Sequence, residues 1–586
     1  MNSENNWRYM IVGALILVIP VLIFFQLVGF QTDPDQRQQF QEQAERRSWE
    51  AVELVPPRGL IYDRWGHILA GNQTVYELGA EIAQVKDPHA VALAVSLVLG
   101  DDAARIFGLI TQAQADQAIH ITLAKNVTRD QRDKLEAMQN EFATQYGSYK
   151  EGAPSLSGLS FIPYLERTYP EKSLGSNILG FVNRDGIGFY GIEEKYNDWL
   201  IGKSKLVEWK YDPVNASLLP EFPEGASLVL TIDRAIQASM EDLIDSEIKN
   251  TGSVSGTIVV LDPKTGEVMA MATTPRMDLN EFWRAGEIFE GETPYNRTVS
   301  ETYEPGSVYK VFTMAAGLDS GAVTLSTEFL DRGIIEVGGT QIRNWNGGAW
   351  GPQDMQGCMQ HSLNVCLAWI AKQMGTSTFY SYMQRFGIGH LTGIDLAGEA
   401  AGRLKLPGDS DWYEADLGTN AFGQGVSATP LQMAAAVSAV ANDGKMMAPH
   451  VVRSLITKGY QKDIDPQVIS APISAETARS LTEMLARSLE TESSDALVEG
   501  YRVAGKTGTA EIPTPFGYTS DQTNASFVGW GPVDDPRFVV YVWLEKPQAS
   551  VWGSVVAAPV FRQAVERLVV LLDLPPDEVR QQLLGQ

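Results

Sequence analysis

The chain has 586 residues, enough for more than one domain and a large core. Its 72 acidic against 46 basic side chains give a net charge of −26, which argues against nucleic acid as a partner. The 6 histidines are scattered, with no H-E-x-x-H and no G-x-S-x-G elbow, so a zinc enzyme and a Ser-His-Asp hydrolase both fit poorly.

Residues 10–30 form a run of 21 without a charge. As a helix this spans about 31 Å, against a hydrocarbon core of about 30 Å, so a transmembrane helix is expected. Trp7 and Tyr9 suit an interfacial belt, and no small-residue cleavage site follows the run. Residues 33–48, rich in Gln, Glu and Arg, read as a solvated helical stalk. From about residue 50 to 220, short β-like runs mix with polar helices, with residues 74–80 and 90–99 as examples. Near Gly225 the pattern changes. A strand from Ser227 leads into an amphipathic helix from Ala235. Two strand runs around Pro263-Lys-Thr-Gly266 form a hairpin, another strand follows Arg537, and residues 557–572 form a closing helix with an apolar stripe. Helices set between hairpins imply an antiparallel sheet flanked by helices, an α+β domain.

Three polar signatures lie in order within this second part: Ser307-Val-Tyr-Lys310, Ser362-Leu-Asn364 and Lys506-Thr507-Gly508-Thr509. Together they supply a hydroxyl nucleophile, a lysine base, a second proton-relaying hydroxyl and a strand edge for an anionic substrate. Residues three apart share a helical face, so Lys310 reaches the Ser307 hydroxyl. Pro305 and Gly306 stop what precedes, placing Ser307 in a first helical turn whose free N–H groups can stabilise an oxyanion. Lys310 works as a base only when neutral. That requires a shift from about 10.4 to near 7, roughly 4 kcal/mol, for which burial and Lys506 are the available causes. Gly508 leaves room for a substrate backbone, and Thr507 and Thr509 offer hydroxyls to a carboxylate.

Two spellings compete with this reading. Ser246-Glu-Ile-Lys249 is a second S-x-x-K, but it lies on a charged helix face and reads as surface. Gly500 to Thr507 matches the phosphate-loop pattern G-x-x-x-x-G-K-[ST]. Its flanks contradict that match: a polar stretch precedes it, and a glycine and two prolines follow where a helix should start. The two cysteines, Cys358 and Cys366, are separated by about 12 Å if the chain between them is helical. That is too far for a disulfide, so two free, semi-buried thiols are expected.

With its signatures in this order, the chain resembles the penicillin-binding transpeptidases of cell-wall synthesis, most of all the class B, monofunctional, membrane-anchored branch. Arg58-Gly-Leu-Ile-Tyr-Asp63-Arg64, Arg167-Thr-Tyr-Pro170, Leu179-Gly180 and Gly188-Phe-Tyr-Gly191-Ile-Glu193 are similar to that branch's pedestal motifs. Asn296-Arg297, Glu304-Pro305-Gly306, Gly423-Gln424-Gly425, Thr429-Pro430-Leu431-Gln432 and Ser526-Phe-Val-Gly529 match the runs around the signatures. Residues 340–348 look like a variant of the loop ahead of the second signature.

The resemblance implies a serine β-lactamase-like, penicillin-binding transpeptidase fold on an elongated α+β pedestal. The expected division is a cytoplasmic tail over 1–9, the transmembrane helix over 10–30, stalk and dimerisation-type pedestal over 31–222, the transpeptidase domain over 223–575 and a polar tail over 576–586. The implied reaction is D,D-transpeptidation of peptidoglycan stem peptides through an acyl-enzyme on Ser307, with β-lactams acylating the same serine. Lys310 would be the acylation base and Ser362 the relay to the leaving D-alanine. Asn364 would bind the substrate amide, Lys506 tune the electrostatics, and Thr507 and Thr509 hold the terminal carboxylate. The N–H groups of Ser307 and Thr509 would form the oxyanion hole. No metal and no cofactor are implied, and a membrane glycan polymerase is the expected protein partner. Two alternatives use the same chain: a carboxypeptidase or β-lactamase on this site, or a scaffold that activates the polymerase.

Overall fold

The computed structural model describes residues 21–24, 26, 49–54, 56–146, 154–203, 205–210, 224–291, 293–492, 494–514 and 517–584. The stalk expected over 33–48 and most of the run 10–30 lie outside these residues. Among the described residues, no helix is long and apolar enough to cross a membrane. Trp49–Leu54 pairs antiparallel with Lys205–Lys210 in a small unit of its own. Residues 57–201 and 225 onward form the second compact unit.

In the pedestal part of that unit, β1 (Ile61–Tyr62), β2 (Ile68–Glu81), β3 (His120–Val127) and β4 (Leu159–Thr168) share a sheet. Three helices accompany them: α1 (Pro88–Leu99), α2 (Ala103–Ala115) and α3 (Arg129–Tyr146). Residues 74–80 fall inside β2, while the apolar run 90–99 belongs to α1. Local signals decide the latter: Asp87 accepts from the Ala90 N–H, Pro88 opens the helix, and Gly100 ends it at φ +76. Val91, Val95, Ile106, Ile110 and Leu135 from these helices meet Leu78, Leu123 and Leu159 from the strands in one core.

The other part is built on a five-stranded, wholly antiparallel sheet. Its strands are β6 (Ser255–Leu261), β7 (Val268–Thr273), β11 (Ala504–Thr514), β12 (Gly517–Gly531) and β13 (Phe538–Glu545), in the order β7-β6-β13-β12-β11. Successive side chains of a strand point to opposite faces. Ile258, Val260, Val540, Val542 and Phe527 therefore pack on one side, against α4 (Arg234–Thr251) and α10 (Ala558–Leu571). Val259, Leu261, Val539, Tyr541 and Val528 face the larger core on the other side. That core is lined by α5 (Lys310–Asp319), α6 (Met355–Gln360), α7 (Asn364–Met374), α8 (Pro430–Ala441) and α9 (Ala475–Thr491). The expected α+β arrangement of an antiparallel sheet flanked by helices is what the chain forms.

A second sheet joins the two parts. Strands β5 (Ser227–Leu230), β9 (Val452–Thr457) and β10 (Tyr460–Asp463) continue the pedestal sheet through a parallel β1–β5 pair. Beside that junction, three motifs far apart in sequence converge. Glu193, fully buried, takes Arg58 on one carboxylate oxygen and Arg167 on the other, each Nε–O distance being 2.7 Å. A buried carboxylate is tolerated when both oxygens are matched by guanidinium forks, and removing one partner leaves an uncompensated charge.

Candidate active site

The first signature sits where a glycine turn enters a buried helix. Gly306 adopts φ +58, which suits glycine, and its N–H donates to Gly423 O at 3.1 Å. Gly306–Tyr309 is one turn of 3-10 helix that runs straight into α5, so Ser307 lies in the first turn as the sequence implied. Ser307 is half-buried; Lys310, at the start of α5, is fully buried. The preceding Glu304 is tied in place by the Gly425 N–H at 3.1 Å and by Tyr518 Oη at 3.1 and 3.2 Å.

The second signature is the tip between α6 and α7. Ser362 takes φ +52, and Asn364 opens α7. Lys310 Nζ reaches all three acceptors offered there: Ser362 O at 2.7 Å, Ser362 Oγ at 3.0 Å and Asn364 Oδ1 at 2.6 Å. The loop over residues 340–348 supports this tip. Asn364 Nδ2 donates to Arg343 O at 3.1 Å, and the Val365 N–H donates to Asn344 Oδ1 at 3.2 Å.

Cys358 and Cys366 correct the expectation of free thiols: they form a disulfide, with Cα atoms 6.0 Å apart. The 12 Å figure assumed one continuous helix. The chain instead ends α6 at Gln360, turns at Ser362 and starts α7 at Asn364, which folds the two cysteines together.

The third signature lies on β11, the edge strand of the five-stranded sheet. Lys506, Gly508 and Ala510 are buried, whereas Thr507, Thr509 and Glu511 turn toward the cleft and are half-buried. The space a Cβ would need at Gly508 is filled by the protein itself: Ser526 Oγ would be 2.2 Å away and Val308 Cγ1 2.9 Å. Glycine here lets β11 close against the turn that bears Ser307. The phosphate-loop spelling has no structural counterpart, because Lys506 and Thr507 are mid-strand and no helix starts there. The decoy serine, Ser246, donates to Leu243 O within α4, and Lys249 is exposed.

A cleft of about 940 Å³ gathers these parts. Ser307, Ser362, Asn364, Lys506, Thr507 and Thr509 line it, with Lys310 beneath the floor and Gly508 behind the strand. Three wall residues, Trp350, Trp552 and Glu492, carried no signal of their own in the sequence. Trp350 stacks on His361 with ring centroids 4.1 Å apart, and Trp345 meets Trp552 edge-on at 5.4 Å. Glu492, past the end of α9, lies 3.7 Å from His361 Nδ1. Trp552 and Glu492 reach the cleft only through tertiary folding, so local pattern had nothing to show. A separate cavity of about 590 Å³ is lined by Lys264, Asp443, Arg479, Glu483 and Asp535. Its charges are paired, as in Arg479–Asp443 at 2.8 Å.

Burial, and then the positive charge of Lys506, hold Lys310 well below the usual lysine range. Lys506 is itself pushed down to about 8 by burial, with Glu492 opposing the shift. The Lys310 amine donates to Ser362 O, Asn364 Oδ1 and Ser362 Oγ, and when neutral it has two N–H groups to share among them and one lone pair free to take a proton. A nucleophile, a neutral amine, a relaying hydroxyl and a cation beside a strand edge are the parts of serine acyl transfer to a carboxylate-bearing substrate.

Two family models match the chain. The penicillin-binding protein transpeptidase domain covers residues 256–566, and the penicillin-binding protein dimerisation domain covers residues 53–219. The chain is 31% identical over 528 residues to stage V sporulation protein D of Bacillus subtilis, covering 88% of this chain and 78% of that protein. It is 27% identical over 592 residues to the peptidoglycan D,D-transpeptidase FtsI of Escherichia coli, covering 98% and 93%. Among solved structures, penicillin-binding protein 2X of Streptococcus thermophilus shares the fold with a TM-score of 0.73 at 23% identity, over 89% of this chain and 80% of that one. Penicillin-binding protein 3 of Mycobacterium tuberculosis complexed with ampicillin matches with a TM-score of 0.67 at 25% identity, over 90% and 97%. A transpeptidase model that spans more than half of the chain, preceded by the dimerisation model, shows that this chain belongs to the class B penicillin-binding transpeptidases.

Proposed function

We propose that the protein is a serine D,D-transpeptidase that cross-links peptidoglycan stem peptides and is acylated by β-lactams. The observation that carries this reading is the fully buried Lys310, bonded to Ser362 and Asn364 below a cleft lined by Ser307 and Lys506. Ser307 Oγ attacks the penultimate D-alanine carbonyl while Lys310 Nζ takes the hydroxyl proton. The N–H groups of Ser307 and Thr509 hold the oxyanion. Collapse breaks the peptide bond, and the proton passes through Ser362 Oγ to the leaving D-alanine. An acceptor amine then attacks the ester carbonyl and frees Ser307. Asn364 holds the substrate amide; Lys506, Thr507 and Thr509 hold its carboxylate, with Gly508 letting the strand close behind them. The ampicillin complex of the Mycobacterium tuberculosis relative supports β-lactams as acylating ligands.

Incubation with labelled stem pentapeptide and an amine acceptor tests the reaction. Cross-linked dimer is expected together with D-alanine release; release without dimer would establish a carboxypeptidase instead. The pH profile tests the roles of the two lysines. Lys506 loses its charge as pH rises through about 8, so binding of a carboxylate-bearing substrate declines above that pH. Lys506→Gln is expected to flatten this alkaline limb. It should also move the acid limb to higher pH, since the cation that depresses Lys310 is gone. An unchanged profile in this variant would remove Lys506 from substrate binding.

The location follows from the same reading. Residues 10–30 anchor the chain in the cell membrane as a single pass with the N-terminus inside, and the transpeptidase domain over 223–575 works outside on the pedestal over 31–222. The uncharged run supports the anchor. The Cys358–Cys366 disulfide supports an extracytoplasmic site, because such bonds persist in oxidising compartments. A membrane glycan polymerase of the shape or division type is the partner this arrangement suits, since cross-linking acts on the strands it makes.

A further inference from the structure

The disulfide brackets the turn that carries Ser362, yet no step of acyl transfer uses its sulfurs. Cys358 lies in α6 and Cys366 in α7, and both are 0% exposed. Between them Ser362 holds φ +52, a conformation that serine rarely adopts. The Leu363 N–H donates to Cys358 O at 3.0 Å and the Ser362 N–H to Met359 O at 3.2 Å, closing the turn against α6. This conformation presents both Ser362 O and Ser362 Oγ to Lys310 and sets Asn364 one step further along. A sparsely populated backbone conformation persists only where its surroundings over-determine it. The covalent link between the two helices is the strongest local constraint of that kind.

We propose that Cys358 and Cys366 are positioning residues for Ser362 and Asn364, so that oxidation of the two thiols completes the proton-handling half of the active site. The proposal rests on the acyl-transfer reading above. As the S–S bond forms, the two thiols lose two protons and two electrons. A disulfide oxidant accepts them by exchange and is reduced to two thiols. Because both sulfurs are walled off in the folded chain, the exchange belongs to folding, before α6 and α7 close. A chain folded in reducing surroundings then carries a loosened relay. In that chain water reaches Lys310 and weakens the burial that keeps it neutral. Lys506, on β11, is the charged group that acts on Lys310; Glu492 and His361 stand beyond it, and Ser362 and Asn364 are uncharged.

The test uses the full-length protein and its Cys358→Ala/Cys366→Ala variant. Second-order acylation by a fluorescent penicillin is followed across about pH 5 to 10, with Tm measured alongside. The variant is expected to acylate about 10- to 100-fold more slowly, the usual consequence of a group displaced by about 1 Å. Its acid limb is expected at higher pH than that of the wild type. A bond that served stability alone would lower Tm and leave the limb in place. Wild-type rates with an unshifted limb would overturn the proposal, as would two titratable thiols in a folded wild type that acylates at full rate. In a second arm, wild-type protein is unfolded and refolded with and without dithiothreitol. The thiol arm should show the same loss, restored by refolding with oxidised glutathione. Equal rates in both arms, or failure of both the variant and the thiol arm to fold at all, would assign the bond to stability and overturn the proposal. If the wild type itself is not acylated, the reading of the site has failed rather than this inference.

Discussion

Ser307→Ala abolishes covalent labelling by a fluorescent penicillin, with acylation slowed by about 10⁴-fold or more. The reason is chemical: no other hydroxyl of the first signature stands in the cleft, and an alanine has nothing to esterify. Ser362 also lines the cleft, but its Oγ is engaged by Lys310 and its backbone is committed to the turn. The fold should tolerate the change. Ser307 is half-buried, and among the described residues its bond is a backbone one, the Lys310 N–H donating to Ser307 O, which alanine keeps; the stability change should therefore stay within about 0.5 kcal/mol. Persistent labelling of a folded variant would reassign the nucleophile.

Lys310→Met should slow acylation by about 10²- to 10⁴-fold, the range of a general base, while giving stability an altered dependence on pH. The sign is set by burial. The folded chain holds Lys310 well below its ordinary value, so the unfolded chain binds the proton more tightly. Stability from this group is therefore highest above the unfolded value, about 10.5, and falls as pH drops from there toward the folded value. Methionine of similar shape removes that slope. The Tm of the variant relative to the wild type is expected to rise steadily between about pH 10 and pH 7. A constant penalty sits on top, about 1–3 kcal/mol, for Ser362 O and Asn364 Oδ1 left without a donor. A difference in Tm that does not change with pH would show that Lys310 is charged in the folded protein.

Much of this protein was legible in order and context. Pro305-Gly306 before an apolar run marked the helix that carries Ser307 and Lys310. The glycine and prolines after Lys506-Thr507 excluded a phosphate loop, as the mid-strand placement of that lysine bears out. The hairpin at Pro263–Gly266 and the strand after Arg537 follow from alternation and turn chemistry, both of which act over a few residues.

Other features escaped because their causes act across the chain. The pairing of Cys358 with Cys366 depends on one reversal at Ser362, and a spacing rule that assumes a straight helix cannot contain it. Arg58, Arg167 and Glu193 belong to separate pedestal motifs, and only the folded chain shows that they meet in one buried ion cluster. Gly508 looks in sequence like room for a ligand, whereas the space is taken by Ser526 and Val308. The sequence by itself singled out the groups on which the proposed chemistry rests, because residue type and local order fix what a side chain can become. The tertiary structure alone decided that Lys310 is sealed from water beside Lys506 and aimed at Ser362, because burial and distance exist only once α5, the α6–α7 tip and β11 have closed on one another.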